Sequence, residues 1–288
     1  MSRIAYVNGR YLPHADAAVH VEDRGYQFAD GVYEVVTVWR GRLVDVNAHM
    51  ARLDRSLGEL RIAAPMHERA LRHVMREVVR RNRIENGLLY LQVTRGVAPR
   101  SHPFPGPHVR PSVVMTARPV RFRPPAAFED GVRVVTIPDI RWARRDIKSV
   151  SLLPNVLGKQ EAVEQGAYEA WMVDSGGMVT EGTSSNAWIV TADNRIVTRP
   201  TGNDILTGLT RQAIVALARD SGLQIEERPF SVAEAKAARE AFLTSATSFV
   251  TPVTQIDDQV VANGKAGTLS RTLNERYREF MDSMPLMS

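Results

Sequence analysis

Several β-branched runs in this chain are joined by turns too short for anything but a hairpin. Residues 4–7 alternate into Asn8-Gly9 and residues 10–12 return, and Asn-Gly is the strongest short hairpin signal. Residues 33–39 turn at Gly41 and continue through 43–46. In the second half, Ser175-Gly176-Gly177 and Asp193-Asn194 separate runs at 168–173, 178–181, 186–190 and 195–198. Turns this short force antiparallel pairing, because a parallel pair needs a crossover of roughly a dozen residues. Helical patterns lie among these runs and no internal repeat is present, so the chain reads as α+β rather than a regular parallel βαβ series.

The helical segments follow apolar spacing. Asn47 is placed to cap a helix with Leu53, Leu57 and Leu60 on one face. A second runs over 67–83 with Leu71, Val74, Met75 and Val78 inward. Others are expected at 156–165, at 210–221 with Ile214, Leu217 and Ala218 inward, after the capping box Ser231-Val232-Ala233-Glu234, and at 268–281. Pro154 is expected to hold Leu153 extended. Residues 88–93, 112–117, 132–137, 241–244, 248–253 and 259–261 read as further strands. Residues 96–111, rich in Pro, Arg and His, form a long loop, and long loops in compact domains often carry function. Prolines 119, 124 and 125 mark a linker. A chain of 288 residues suits two medium domains. The division expected is residues 1–118, a linker at 119–130, and 131–288.

Some chemistries drop out. With no cysteine, disulfides, thiolate metal sites and a cysteine nucleophile are excluded. The N-terminus lacks an apolar segment of signal-peptide type and no run of about 18 apolar residues occurs, so a soluble cytoplasmic protein away from membranes is expected. The net charge is +5, but the basic residues are scattered instead of clustered on one face, which points to small anionic substrates over nucleic acid. The chain has no G-x-G, P-loop, H-E-x-x-H or G-x-S-x-G pattern. None of its seven histidines stands four residues from another, and no metal site is expected.

Of 37 basic residues only four are lysine: Lys148, Lys159, Lys236 and Lys265. Lys236 and Lys265 lie in a charged helix and a Gly-flanked turn, and Lys159 opens a polar helix face. Lys148 sits between a basic and an apolar stretch, in Asp146-Ile147-Lys148-Ser149. A lysine held against apolar surface gives up its proton more readily, and the neutral amine is the nucleophile for a Schiff base; the plain alternative is a snorkelling side chain. Glu181-Gly182-Thr183-Ser184-Ser185-Asn186 reads either as a polar connection or as a carboxylate aimed at a cofactor. Gly208-Leu209-Thr210-Arg211 opens a helix and is either a simple cap or an anion site. Arg52 is either a surface residue or a phosphate ligand. Arg100 and His102 stand at alternate positions of the long loop, where arginine's planar fork suits a carboxylate.

Taken together, Asp30-Gly31-Val32-Tyr33-Glu34, Asn47-x-His49-x-x-Arg52-Leu53, Asp146-Ile147-Lys148-Ser149, Asn155-Val156, Glu181 to Asn186 and Gly208 to Arg211 resemble, in order and spacing, the motifs of the fold-type IV pyridoxal-phosphate enzymes. Through the Tyr33 segment and Arg100-x-His102 the chain looks most like the D-amino acid aminotransferases. The resemblance implies a two-domain fold with a carboxylate-clamp loop in the first domain and a pyridoxal 5′-phosphate-binding second domain. It implies that Lys148 forms the Schiff base and carries the proton, and that Glu181 pairs with the pyridine nitrogen. Arg52 and the backbone of Leu209 and Thr210 would hold the phosphate, Ser245 and Thr247 would lie near the cofactor, and Leu206 would pack behind its ring. Tyr33, Arg100 and His102 would grip the substrate carboxylate. The implied reaction is reversible, ping-pong amino transfer from a D-amino acid such as D-alanine to a 2-oxo acid such as 2-oxoglutarate, in a homodimer. A branched-chain L-aminotransferase, an (R)-amine transaminase and an aminodeoxychorismate lyase share the fold. Ala246 departs from the pattern, standing where relatives can carry a hydroxyl.

Overall fold

The computed structural model describes residues 3–124 and 129–287. The expected linker at 119–130 falls partly on 125–128, which lie outside the described residues. The chain forms two compact units: residues 1–122 with 147–151 and 281–288, and residues 123–146 with 152–280. Chain order alone assigns 147–151 to the second unit. They join the first because their backbone bonds to one of its strands.

The first unit contains β1 (Ile4–Val7), β2 (Arg10–Pro13), α1 (Arg24–Phe28), β3 (Gly31–Trp39), β4 (Arg42–Leu43), α2 (Val46–Glu59), α3 (Glu68–Arg81), β5 (Gly87–Thr94) and β6 (Ser112–Pro119). Its six strands make one sheet in the order β2-β1-β6-β5-β3-β4, and every pairing is antiparallel, as the short turns require. Along β3, Val32, Glu34, Val36 and Val38 are buried, and a core of these valines with Met50, Leu53, Leu57, Leu71, Met75 and Val78 joins the sheet to α2 and α3. Residues 147–151 lie along the edge of β3 that β4 leaves free: Val32 bridges Ser149, the Tyr33 amide donates to the Lys148 carbonyl at 3.0 Å, and the Val150 amide donates to Gly31.

The second unit contains β7 (Val132–Pro138), α4 (Leu153–Glu164), β8 (Glu169–Val173), β9 (Val179–Gly182), β10 (Asn186–Val190), β11 (Ile196–Thr198), α5 (Leu209–Asp220), β12 (Ile225–Glu227), α6 (Val232–Lys236), β13 (Glu240–Ser245), β14 (Phe249–Ile256), β15 (Gln259–Val260) and most of α7 (Thr268–Ser283). Its nine-stranded sheet runs β12-β11-β10-β13-β14-β7-β8-β9 with β15 on β14. Parallel pairing occurs at β7–β8, β7–β14 and β11–β12, and the rest is antiparallel.

Two local expectations are corrected, and one short helix was not expected. Leu153 opens α4 instead of staying extended, because proline in a first helical turn has no amide to lose and its fixed φ suits the helix. α2 starts two residues early, capped at Asp45 in the left-handed region; the Asn47 side chain instead accepts from Arg72. Arg24–Phe28, which carries no clear apolar period, is a short helix whose cap Asp23 accepts from the Gly25 amide.

The long loop closes on itself at Gly96. There φ is +107°, and a Cβ would lie 2.1 Å from the Arg110 carbonyl oxygen. Gly96→Ala should therefore cost about 1–3 kcal/mol in a φ/ψ region reserved for glycine. Amide exchange should show faster opening across 96–111 with β3 and β5 unchanged; unchanged protection in the loop contradicts this.

Candidate active site

Each unit gathers part of the expected site. In the first, β3 projects Tyr33 and Glu34 to opposite faces. Glu34 has no exposed surface. Arg52 on α2 grips it with two bonds, Nε to Oε1 at 2.9 Å and Nη2 to Oε2 at 2.7 Å, and His49 Nδ1 lies 2.7 Å from Oε2. Burial alone would raise the Glu34 carboxyl, but the Arg52 guanidinium and the hydrogen bonds from Arg52 and His49 outweigh it and hold the group at about 2. Burial pushes His49 down, towards the neutral imidazole. One turn beyond Arg52, the Ser56 hydroxyl accepts from the Lys148 amide at 3.4 Å, so α2 holds the expected phosphate ligand and the lysine segment together.

The four lysines now separate. Lys159, Lys236 and Lys265 lie 3.6, 2.7 and 2.7 Å from carboxylates of Glu169, Asp257 and Asp130. Lys148 has no carboxylate partner among the described residues; its Nζ lies 4.2 Å from the centre of the Tyr33 ring, which stacks on Tyr90 at 5.7 Å. An amine that is not neutralised by an acid is free to react with a carbonyl.

Arg100 and His102 are exposed, and they lie against Phe28, 5.1 Å and 5.5 Å from its ring centre. The structure brings both to one ring of α1.

In the second unit, β9 carries Glu181, 4 % exposed. Oε1 accepts from Arg141, and Oε2 accepts from Asn186 at 2.9 Å. The Leu206 amide donates to both oxygens at 3.1 and 3.2 Å, and the Leu206 carbonyl accepts from Asn186. Burial drives the Glu181 carboxyl upward despite Arg141, so its charge gains from a further cation placed against it. The neighbouring hydroxyls are not part of this cluster. Thr183, Ser184 and Ser185 donate to Glu169 on β8.

α5 begins at Leu209 after Gly208, which caps it without a side-chain bond, and the Leu209 and Thr210 amides have no intrahelical partner. A Cβ at Gly208 would lie 2.0 Å from Asn186 Oδ1, so glycine lets the helix start approach the Glu181–Asn186 pair. Thr210 Oγ1 meets the Tyr277 hydroxyl at 3.3 Å. α5 packs on β13, whose end forms a hydroxyl turn: Ser245 Oγ lies 3.1 Å from Thr247 Oγ1 and 2.7 Å from Ser248 Oγ. β13 pairs with β10, Asn186 opposite Thr244, which puts the hydroxyl turn beside the Glu181 cluster.

The model for amino-transferase class IV matches residues 31–256. The chain belongs to the class IV aminotransferases. It is 40% identical over 278 residues to the D-alanine aminotransferase of Staphylococcus haemolyticus, covering 96% of this chain and 98% of that protein. It is 42% identical over 266 residues to the D-alanine aminotransferase of Bacillus licheniformis, covering 92% and 93%. In fold it is similar to the T.th. branched-chain amino acid aminotransferase complexed with N-(5′-phosphopyridoxyl)-L-glutamate, with a TM-score of 0.88 and 25% identity over 99% of this chain and 96% of that one. The chain is accordingly a transaminase dependent on pyridoxal 5′-phosphate. Its residues fit that group: a lysine without an acid partner among the described residues, a buried carboxylate suited to a cation, an arginine on α2, and a helix start with no side-chain cap beside serine and threonine hydroxyls.

Sequence reasoning missed Arg141 and did not give Glu34, His49 or Asn186 roles. For Glu34 a signal existed, since a carboxylate on the apolar face of a β-strand must have a partner. Arg141, in a run of basic residues, had none.

Glu34→Gln should take from half-buried Arg52 its bidentate partner and lower stability by about 3 kcal/mol at pH 7. The Glu34 carboxyl is depressed to about 2 from its usual 4.5, so its contribution is complete above pH 4.5 and is lost as pH falls through 2. Denaturant unfolding of both proteins should show the deficit shrinking with acidification over that window; a deficit that is absent at pH 7 contradicts the pairing.

Proposed function

We propose that this transaminase is a D-amino acid aminotransferase, moving the amino group of D-alanine to 2-oxoglutarate and back in a ping-pong cycle. The observation that carries the reading is 40–42% identity to D-alanine aminotransferases over nearly the whole of each chain. The loop bearing Arg100 and His102 supports it, because a guanidinium and an imidazole on one exposed turn offer hydrogen-bond donors to a carboxylate.

When bound, pyridoxal phosphate supplies the electron sink that lets the Cα proton leave. Lys148 is the residue proposed to hold the cofactor covalently and then to take and return the proton at Cα. Glu181, whose position is fixed by Arg141, Asn186 and the Leu206 amide, would stabilise positive charge on the ring nitrogen. Leu206 would pack behind the ring. Arg52 and the Leu209 and Thr210 amides would hold the phosphate, with Ser245 and Thr247 alongside. Tyr33, Arg100 and His102 orient the substrate carboxylate. The hand follows from that orientation: with the proton delivered on one face, the side on which the carboxylate is held decides which enantiomer presents its Cα–H. The proposed setting is a cytoplasmic homodimer; among the described residues no helix is long and apolar enough to cross a membrane.

Likeness in fold to the branched-chain enzyme gives a second reading, transamination of L-leucine or L-valine. It rests on lower identity than the first.

Pyruvate formation from D-alanine and 2-oxoglutarate by the cofactor-loaded protein, beside L-alanine, L-leucine and L-valine, separates them. Turnover should be confined to the D-amino acid, and Arg100→Ala should raise KM for D-alanine by roughly 30-fold or more, corresponding to about 2 kcal/mol or more for truncating one partner of a charged pair. Turnover confined to the L-amino acids overturns the reading.

A further inference from the structure

Arg24 has no role in the site described above, yet it is 4 % exposed and hydrogen-bonded on all sides. Its Nε donates to Asp30 Oδ2 at 2.9 Å. Nη1 donates to the Ser101 carbonyl at 2.5 Å and Nη2 to the His102 carbonyl at 3.3 Å. The guanidinium also lies 4.7 Å from the centre of the Phe28 ring, the ring against which Arg100 and His102 rest.

Arg95 shares the same Asp30 through both carboxylate oxygens, Nε to Oδ2 at 2.7 Å and Nη2 to Oδ1 at 3.0 Å, and donates to the carbonyls of Leu60 and Arg61 at 2.7 and 2.9 Å. The two arginines thus tie different segments to one carboxylate, Arg95 the end of α2 and Arg24 the long loop. Arg24 gives Asp30 a single bond and directs its other two donors to consecutive carbonyls of an exposed loop. The loop is tied to α1 at its start as well: the Arg24 amide donates to the Gly96 carbonyl at 2.9 Å, the Ala98 amide to Glu22, and Asp23 bridges Val97. Ser101 and His102 are themselves exposed, so Arg24 supplies the buried anchor for this turn.

We propose that Arg24 is a positioning residue for substrate recognition: by clamping the carbonyls of Ser101 and His102 from inside, and sharing Phe28 with the side chains outside, it sets where Arg100 and His102 stand and so which carboxylate position they accept. The inference rests on the clamp role of Arg100 and His102 proposed above. Lysine at position 24 would keep the charge but not the planar fork, and could not serve Asp30 and two carbonyls at once.

The test uses the cofactor-loaded full chain and two readouts: KM for D-alanine, and the inhibition constant of propionate, a carboxylate with no amino group to react. Arg24→Lys should raise both on the order of 10- to 100-fold, the scale of misplacing a recognition group by about an ångström. Cofactor affinity and the visible spectrum should stay as in the wild type. In the Arg24→Lys, Arg100→Ala double variant the losses should fall short of additive, because both act through one contact. Phe28→Leu, which keeps apolar volume but removes the shared ring, should move the same two constants and decides the matter if Arg24→Lys does not fold. If Arg100→Ala raises both constants while Arg24→Lys and Phe28→Leu leave them at wild-type values, the positioning role is overturned and the clamp stands. If Arg24→Lys weakens cofactor binding as much as propionate binding, the residue is structural only and the proposal is overturned. If Arg100→Ala itself changes neither constant, the clamp reading fails first and takes the proposal with it.

Discussion

A carboxylate with no exposed surface fixes the N-terminal unit. Glu34 stands on the apolar face of β3, where an unpaired charge would be prohibitively expensive, and Arg52 and His49 on α2 both close on it. That contact sets the rotation of α2 on the sheet. With α2 fixed, Ser56 meets the backbone of Lys148, and residues 147–151 complete the free edge of β3. The lysine's place is thus a consequence of packing one charged residue where the strand pattern asks for an apolar one.

The second unit uses a buried carboxylate differently. Glu34 faces a bidentate guanidinium and is held far below the usual carboxylate range, whereas Glu181 meets Arg141, Asn186 and a backbone amide and is still pushed upward by burial. The first is settled within the protein. The second retains a demand for positive charge, which is what a partner for a pyridine nitrogen requires. Two residues of the same type are therefore shifted in opposite directions because of what surrounds them.

Much of this was legible in the sequence. Short turns forced the antiparallel sheet of the first unit, and apolar spacing placed α2, α3, α5 and α7. The scarcity of lysine narrowed the covalent chemistry to four positions, and three of those proved to be neutralised by carboxylates. What was illegible depended on contacts distant in the chain. Nothing local marks Arg24 as buried or Arg141 as half-buried, since each sits among other charged residues and is drawn inward by an acid or carbonyl elsewhere. The sequence left Glu181 to Asn186 open between a polar connection and a cofactor carboxylate, and the hydroxyls of Thr183, Ser184 and Ser185 turn out to serve Glu169 on the neighbouring strand. The start of α4 was misjudged because proline excludes helix interior but favours a first turn.

The account turns on Lys148 being the residue that holds the cofactor. Borohydride reduction of the cofactor-loaded protein, followed by peptide mass mapping, tests this directly. The account predicts a single pyridoxyl label, on the peptide containing Lys148. A label on Lys159, Lys236 or Lys265, or none surviving denaturation, would contradict it.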